Sequence, residues 1–289
     1  MKATCRVSTV LLASISLLVG CTGGEGDSAD EEIGEATRAL LMNNALTPNA
    51  LTPNALTPNA LTPNALTPNA LTPNALTPNS LAPSVKAALE DPTFAGEISR
   101  DLFKYMLGCA LDSSQSYSFT WHDSNGNAHA ETIVGYLGLA TDWPSKKLSP
   151  SEQQWITACV LARVNWYSMP VDLSARAQHA NLHVTDTIEG ETYAVFEGAF
   201  WGNIFDENPT AYACHDSNTV AHARAAHRDC AAGHVNADGT TTSCGIITIV
   251  GDCASHCTSP DASDDYYPSC GLTLSGHDKT HRVISTFLP

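Results

Sequence analysis

The stretch Ser149-Pro150-Ser151-Glu152-Gln153-Gln154-Trp155-Ile156-Thr157-Ala158-Cys159 decides the predicted fold, because it specifies where a long helix begins and which face of it is apolar. Its first four residues form a capping box, in which the serine and the glutamate satisfy each other's backbone N–H groups, and proline suits the first turn. The helix is expected to run to about Tyr167. Helical spacing then aligns four positions on one face, Trp155, Cys159, Ala162 and Trp166.

A second helix is predicted before this one, with Asp91 as its N-cap and Pro92 as its first helical residue. Its apolar stripe consists of Ile98, Leu102, Met106 and Cys109. Each helix therefore points one cysteine into its apolar face. We expect the two helices to pack together and to be joined by a Cys109–Cys159 disulfide.

The N-terminus predicts export. A basic start is followed by an apolar run from Val7 to Gly20, which is too short to span a bilayer and has the layout of a signal peptide. The run ends in Leu18-Val19-Gly20-Cys21, which has the form of a lipobox. We therefore expect residues 1–20 to be removed and Cys21 to be acylated, which would anchor the chain to a membrane. Thr22 rather than aspartate follows, which favours an outer membrane or cell surface; the alternative is an ordinary signal peptide that happens to contain a cysteine.

Two low-complexity segments follow the expected anchor. Residues 21–44 are rich in carboxylates, which repel one another and stay solvated. Residues 45–84 contain the unit Ala-Leu-Thr-Pro-Asn seven times and then a degraded copy. A period of five gives no apolar face, and a proline in every unit removes a backbone donor, so a disordered, extended spacer is predicted. A pentapeptide β-helix is the alternative, although the order of residues and the proline disfavour it.

The lipobox, the acidic stretch, the tandem repeats and the cysteine-rich C-terminal region together resemble uncharacterised surface lipoproteins of myxobacteria. The resemblance covers the whole layout, and the repeat is its most specific part. It implies a lipid-anchored surface protein and carries over no catalytic residue.

Residues 85–289 are expected to form one disulfide-rich globular domain. Cys5 leaves with the signal peptide and Cys21 carries the lipid, so an even number of cysteines remains in this domain, which predicts four disulfides in an exported chain. The eight cysteines are Cys109, Cys159, Cys214, Cys230, Cys244, Cys253, Cys257 and Cys270. Apart from Cys109–Cys159, the sequence leaves their pairing open.

The fold class predicted for this domain is α+β, with helices early and a mostly β, loop-rich, disulfide-stabilised second half. Asp123-Ser124-Asn125-Gly126 is typical of a hairpin turn between strands at 117–121 and 129–136. Further strands are predicted at 171–176, 192–196 and 246–250. The formal net charge of −16 disfavours nucleic acid as a partner and leaves glycans, cations or envelope proteins.

Several motifs suggest a catalytic site, and each also has a simpler structural interpretation. Gly26-Asp27-Ser28 and Asp278-Lys279-Thr280-His281 resemble the first and last blocks of GDS-type esterases, but Ser28 lies in a linker that cannot hold a nucleophile in place. A Cys159 nucleophile is disfavoured, because the middle of an apolar helix raises rather than lowers the pKa of a thiol.

Histidines and acidic residues offer candidate metal ligands. His179 and His183, like His277 and His281, are four residues apart, a spacing that can bind zinc on a helix, while His222 and His227 are a poorer match. An acidic loop at 261–265 could hold calcium, although it lacks the pattern of an EF-hand. The simpler interpretation is a solvated loop.

The segment 197–205 supplies the candidate ligand-binding residues, Trp201 and Asn203. An exposed Trp201 beside Asn203 would make a platform for sugars, whereas a core strand with inward aromatics is the plainer interpretation. From the sequence alone we expect a lipid-anchored binding or surface-structural domain, with no metal, cofactor or catalytic residue assigned. The alternative is an anchored extracytoplasmic hydrolase, either dependent on histidine or zinc or similar to the GDS esterases.

Overall fold

The computed structural model describes residues 83–184, 187–206, 208–272 and 282–289. The predicted signal peptide, the predicted lipid attachment site Cys21, the acidic linker and the predicted spacer up to residue 82 lie outside this part of the chain. So do both halves of the esterase-like motif and the pair His277 and His281. The first described helix begins at Pro83, two residues before the expected domain boundary.

Five α-helices are present in the described residues: α1 (Pro83–Glu90), α2 (Phe94–Ala110), α3 (Pro150–Ala162), α4 (Thr187–Thr192) and α5 (Val220–Ala225). The predicted N-cap of α2 was two residues too early. Thr93 caps this helix through its hydroxyl, which accepts a hydrogen bond from Ala95 N at 3.3 Å. Asp91 instead accepts from Thr93 N at 2.8 Å, so its carboxylate orders the turn between α1 and α2.

The start of α3 is confirmed and its end is earlier than expected. Ser149 and Glu152 form the capping box, with both reciprocal hydrogen bonds present. The helix ends at Ala162 rather than near Tyr167, because the buried guanidinium of Arg228 donates to the carbonyl oxygens of Ala162 and Val164 at 2.8 Å each. A cation at this position satisfies the last free carbonyls and complements the negative end of the helix dipole.

The predicted disulfide between the two long helices is confirmed. Cys109 and Cys159 are bonded, with their Cα atoms 6.0 Å apart and both side chains fully buried. Leu102 and Met106 of the same stripe lie in the main core, and Ile98 packs against its edge. Helices α2 and α3 are therefore joined covalently through their apolar faces.

Nine strands complete the described fold, and they form three sheets. They are β1 (Ser116–His122), β2 (Ala128–Val134), β3 (Ser174–Arg176), β4 (Val195–Asn203), β5 (Thr210–His215), β6 (His234–Val235), β7 (Thr241–Thr242), β8 (Thr248–Asp252) and β9 (Ile284–Leu288). The central sheet has the order β3-β9-β4-β5-β8 and is antiparallel except for the β5–β8 pair. Helix α3 packs against β4, β5 and β9 of this sheet. The α+β class predicted from the sequence is confirmed.

The hairpin β1–β2 forms at the predicted turn. Asp123 N donates to Asn127 O at 3.0 Å, and the Asp123 carboxylate accepts from the backbone N–H groups of Asn125 and Asn127. Gly126 has φ +83°, a left-handed conformation that glycine adopts without strain. Hydrogen bonds to the carboxylate, those from Asn127 foremost, lower the pKa of Asp123.

The six cysteines of the second half are all paired, as Cys214–Cys253, Cys230–Cys244 and Cys257–Cys270. Four disulfides are typical of an extracytoplasmic protein, which agrees with the expected export. Among the helices described, none is both long enough and apolar enough to cross a bilayer.

Candidate functional site

A cleft lies between α1 and the β1–β2 hairpin, with a volume of about 390 Å³. Its walls combine an aromatic and aliphatic floor with hydroxyl and charged groups. The lining residues are Lys86, Leu89, Glu90, Tyr117, Ser118, Phe119, Thr120, Ala130, Glu131 and Thr132. We call this space the hairpin cleft.

Tyr117 is the most unusual residue of the hairpin cleft. The side chain is only 3 % exposed, and its ring meets Phe103 edge to face with the centroids 5.3 Å apart. Its buried hydroxyl has no hydrogen-bond partner among the residues that the structure describes. Burial raises the pKa of Tyr117 to about 12, so the phenol is neutral and available as a donor. A buried hydroxyl without a partner costs about 1–3 kcal/mol, and a ligand that supplied a partner would recover it.

Polar groups that already have partners line other parts of the hairpin cleft. The hydroxyls of Ser118 and Thr132 lie 2.8 Å apart across the two strands, and Lys86 approaches Glu90 to 3.7 Å on α1. These exposed groups can readily exchange their present partners for water, because surface ion pairs of this kind contribute little to stability. The cleft thus offers several hydroxyls and both signs of charge above an aromatic floor.

A second cleft, with a volume of about 450 Å³, lies beside the N-terminal end of α2 and shares Glu131 with the hairpin cleft. Between them, Trp121 Nε1 donates to the Glu131 carboxylate at 2.6 Å, and the Arg100 guanidinium stacks 3.7 Å from the centre of the Trp121 ring. Arg100 also donates to the carbonyl oxygens of Leu89 and Asp91, at 3.0 and 2.8 Å, and so satisfies the end of α1. Arg100 of α2 thus links the end of α1 to Trp121 of the hairpin.

The aromatic segment selected from the sequence lies in the core instead of on the surface. Trp201 is 2 % exposed and packs among cysteines on one face of β4, while the neighbouring Phe200 fills the main core on the other face. Asn203 is buried as well: its amide donates to Gln153 Oε1 at 3.1 Å and its oxygen accepts from Phe205 N at 3.0 Å. Both faces of β4 are covered, so an exposed sugar platform at Trp201 and Asn203 is not present.

The histidine pair considered as candidate zinc ligands has separate partners. His179 and His183 flank a 3-10 turn at Ala180–Leu182 rather than one face of an α-helix. His179 Nδ1 accepts from Asn181 N at 3.2 Å, whereas His183 Nδ1 lies 2.7 Å from Asp264 Oδ2. Burial first, and then the charges of His183 and Arg282, lower the pKa of His179.

The acidic loop has local structural roles as well. Asp261 accepts hydrogen bonds from the backbone N–H groups of Ser263 and Asp264, at 2.9 and 3.2 Å, so its carboxylate orders the turn. The carboxylate of Asp264 is the one engaged by His183. In the part of the chain that the structure describes, Asp261 and Asp264 therefore bind separate partners. This agrees with the simpler interpretation of the segment as a solvated loop.

One constellation had no signal in the sequence. His234 Nδ1 lies 2.6 Å from Oδ2 of Asp229, whose residue is 2 % exposed, and the same oxygen accepts the Tyr167 hydroxyl at 3.0 Å. The His234 ring stacks on Trp166, with centroids 4.3 Å apart and planes 9° from parallel. Burial, together with the hydrogen bond to Asp229, raises the pKa of Tyr167. We call Asp229 and His234 the dyad.

The dyad is positioned by a buried ion pair next to it in the chain. Arg228 Nε donates to Glu197 Oε1 at 2.9 Å, and both side chains are wholly buried. Burial raises the pKa of Glu197 and the Arg228 charge opposes this effect. Because Arg228 also holds the end of α3, it ties β4, α3 and the dyad together.

Comparison of the chain with models of known protein families, with curated proteins and with solved structures finds no match.

Proposed function

We propose that this protein is a lipid-anchored surface protein that displays a ligand-binding domain. In this proposal Cys21 carries the lipid at the outer membrane or cell surface, and the repeats at 45–84 form the spacer. The observation that carries the binding role is the buried, unpartnered hydroxyl of Tyr117 at the hairpin cleft. Folded proteins leave few such groups, and one that belongs to a residue lining a cleft of this size supports a site for a ligand.

The ligand class that best suits the hairpin cleft is a neutral glycan of the cell envelope. Aromatic rings such as Phe119 provide an apolar surface, and Ser118, Thr120 and Thr132 offer hydroxyls along the two strands. The net charge of the chain disfavours anionic partners such as nucleic acid. A spacer would give the domain reach beyond the membrane that holds its lipid.

Binding is tested by titrating the full chain with neutral envelope glycan fragments and following the heat of binding. Tyr117→Phe removes only the hydroxyl and should weaken binding about 2- to 12-fold, which corresponds to a hydrogen bond of about 0.5–1.5 kcal/mol. Tyr212→Phe is the matched control, because Tyr212 lies on β5 near Trp201 and outside both clefts. Equal affinities in all three proteins would exclude the hairpin cleft as the site.

The dyad favours a second candidate, an anchored hydrolase that depends on histidine. A carboxylate that holds Nδ1 of a histidine keeps Nε2 free to accept a proton from water, as a general base does. Among the described residues no hydrogen bond engages His234 Nε2, and the ring is partly exposed. In that case the full chain should cleave ester or glycan substrates, His234→Ala should abolish turnover and His222→Ala should preserve it. Turnover that survives His234→Ala, or no turnover on any substrate tested, would exclude this candidate.

A further inference from the structure

Two of the disulfides lie side by side in one apolar cluster, which also contains Trp201, Ala199 and Val283. Cys214 pairs with Cys253, and Cys257 pairs with Cys270. The sulfur atoms of Cys214 and Cys257 belong to different disulfides, yet they are only 3.6 Å apart. The sulfurs of Cys214, Cys257 and Cys270 all lie within 4.8 Å of one another. We call Cys214, Cys253, Cys257 and Cys270 the sulfur cluster.

The fold brings the four sulfurs together through a parallel strand pair and a bridge. Cys214 lies on β5, and its neighbour β8 ends directly before Cys253. Cys257 follows after three residues, and an isolated bridge then sets Cys270 opposite it. None of the four residues is more than 5 % exposed.

Three of the four sulfurs, those of Cys214, Cys257 and Cys270, lie close enough together to share one tetrahedral zinc ion once the disulfides are open. With Zn–S bonds of about 2.3 Å, four thiolates around zinc lie about 3.8 Å from one another. Between the two disulfides, Cys214 Sγ lies 3.6 Å from Cys257 Sγ and within 4.8 Å of Cys270 Sγ, close to that separation, and Cys253 is the disulfide partner of Cys214. Two cysteines separated by three residues, as Cys253 and Cys257 are, have the short spacing that structural zinc sites use.

We propose that the reduced form of this chain binds one Zn²⁺ through Cys214, Cys253, Cys257 and Cys270, and that formation of the two disulfides releases the metal. The sulfur cluster is thus a zinc site under reducing conditions and a pair of disulfides under oxidising conditions. The site is independent of the hairpin cleft and of the dyad, because it shares no residue with either.

The chemistry of the two forms balances. A phosphine reductant opens each disulfide: it transfers two electrons to the two sulfurs, takes its oxygen from one water molecule and becomes a phosphine oxide, while the two protons of that water give two thiols. Two equivalents therefore yield four thiols. Zn²⁺ then replaces the four thiol protons, which pass to solvent, so its affinity rises with pH. In the release step, two thiolates of the chain exchange with a small-molecule disulfide: they form one protein disulfide, and the oxidant takes up two electrons and two protons and leaves as two thiols. Two equivalents of that oxidant close both disulfides, and Zn²⁺, which then has no thiolate ligand, passes to solvent. In oxidising compartments the disulfide form prevails.

The proposal is tested on the full chain, reduced with a phosphine, freed of reductant without oxygen and titrated with Co²⁺ as a coloured stand-in for Zn²⁺. We expect one equivalent to give the visible bands of tetrahedral thiolate coordination, and one equivalent of Zn²⁺ to bleach them. The double variant C214S/C257S should lose the bands. The matched control C230S/C244S, which removes a disulfide of the main core, should keep them.

Reduction also removes the other disulfides, so a thermal melt of the same samples accompanies the titration. The account predicts that Zn²⁺ raises the melting midpoint of the reduced chain and of C230S/C244S, and leaves that of C214S/C257S unchanged. Absence of the bands in the reduced chain would overturn the proposal, and so would bands of equal strength in C214S/C257S. A melting midpoint that Zn²⁺ leaves unchanged in the reduced chain would overturn it as well.

Discussion

Replacing Arg228 with methionine tests how the chain ends α3 and holds the dyad in place. The guanidinium is wholly buried and makes three hydrogen bonds, to Glu197 Oε1 at 2.9 Å and to the carbonyl oxygens of Ala162 and Val164 at 2.8 Å each. Removing one partner of a buried ion pair costs about 3–5 kcal/mol. Each carbonyl left without a donor adds about 1–3 kcal/mol.

The sum for Arg228→Met is about 5–11 kcal/mol, which is comparable to the whole stability of a domain, about 5–15 kcal/mol. Protonation of the abandoned Glu197, whose pKa burial already raises, reduces the ion-pair part of this loss, while the part from the two carbonyl oxygens remains. Glu197→Met leaves both carbonyls bonded to Arg228 and should cost only about 3–5 kcal/mol. The test is therefore whether Arg228→Met loses more free energy of unfolding than Glu197→Met does.

Urea unfolding of the full chain, followed by tryptophan fluorescence, measures both losses. Lys146→Met is the control, because the ion pair between Lys146 and Asp142 is exposed and its loss should leave the unfolding midpoint unchanged. Equal losses in Arg228→Met and Glu197→Met would refute the reasoning, since they would mean that the contacts with the end of α3 contribute nothing.

Three further outcomes are expected. Removing the Cys109–Cys159 disulfide with two alanines should lower the free energy of unfolding by about 4 kcal/mol, because the bond closes a loop with a sequence separation of 50; a loss below that of the shorter Cys230–Cys244 loop would contradict this. Ser149→Ala should cost about 1 kcal/mol in the same assay, and no change would mean that the capping box is not needed. The lowered pKa of His179 implies stability that is present above the unfolded pKa of 6.5 and is lost as the pH falls through the folded pKa. His179→Gln should flatten the stability profile in that window, and an unchanged profile would contradict the assigned cause.

Local signals account for what the sequence predicted well. The capping box, the apolar stripe of α2 and the turn at Asp123 each act over a few residues, and the structure contains all three features. The disulfide between α2 and α3 followed from two such stripes, each with one cysteine, although the structure buries α3 on all sides from Trp155 to Ala162. These elements could be predicted because neighbours in sequence determine them.

Contacts between distant residues explain what the sequence did not predict. Arg228, which lies 66 residues beyond Ala162, binds the end of α3, and no local sequence pattern predicts that contact. For Trp201 and Asn203 the sequence left both a sugar platform and a core strand open, and the structure has the core strand, because sheet neighbours and α3 cover both faces of β4. The dyad forms because a buried backbone turn brings His234 back to Asp229, which no motif marks.

The most direct test of the binding account compares the unbound stability and the glycan affinity of Tyr117→Phe with those of the unsubstituted chain and Tyr212→Phe. If the Tyr117 hydroxyl is kept buried for a ligand, its removal should raise the free energy of unfolding of the unbound chain by about 1–3 kcal/mol. The same change should weaken glycan binding, and Tyr212→Phe should leave the affinity unchanged. A Tyr117→Phe protein that is less stable without ligand and binds glycan as tightly as the unsubstituted chain would contradict the account.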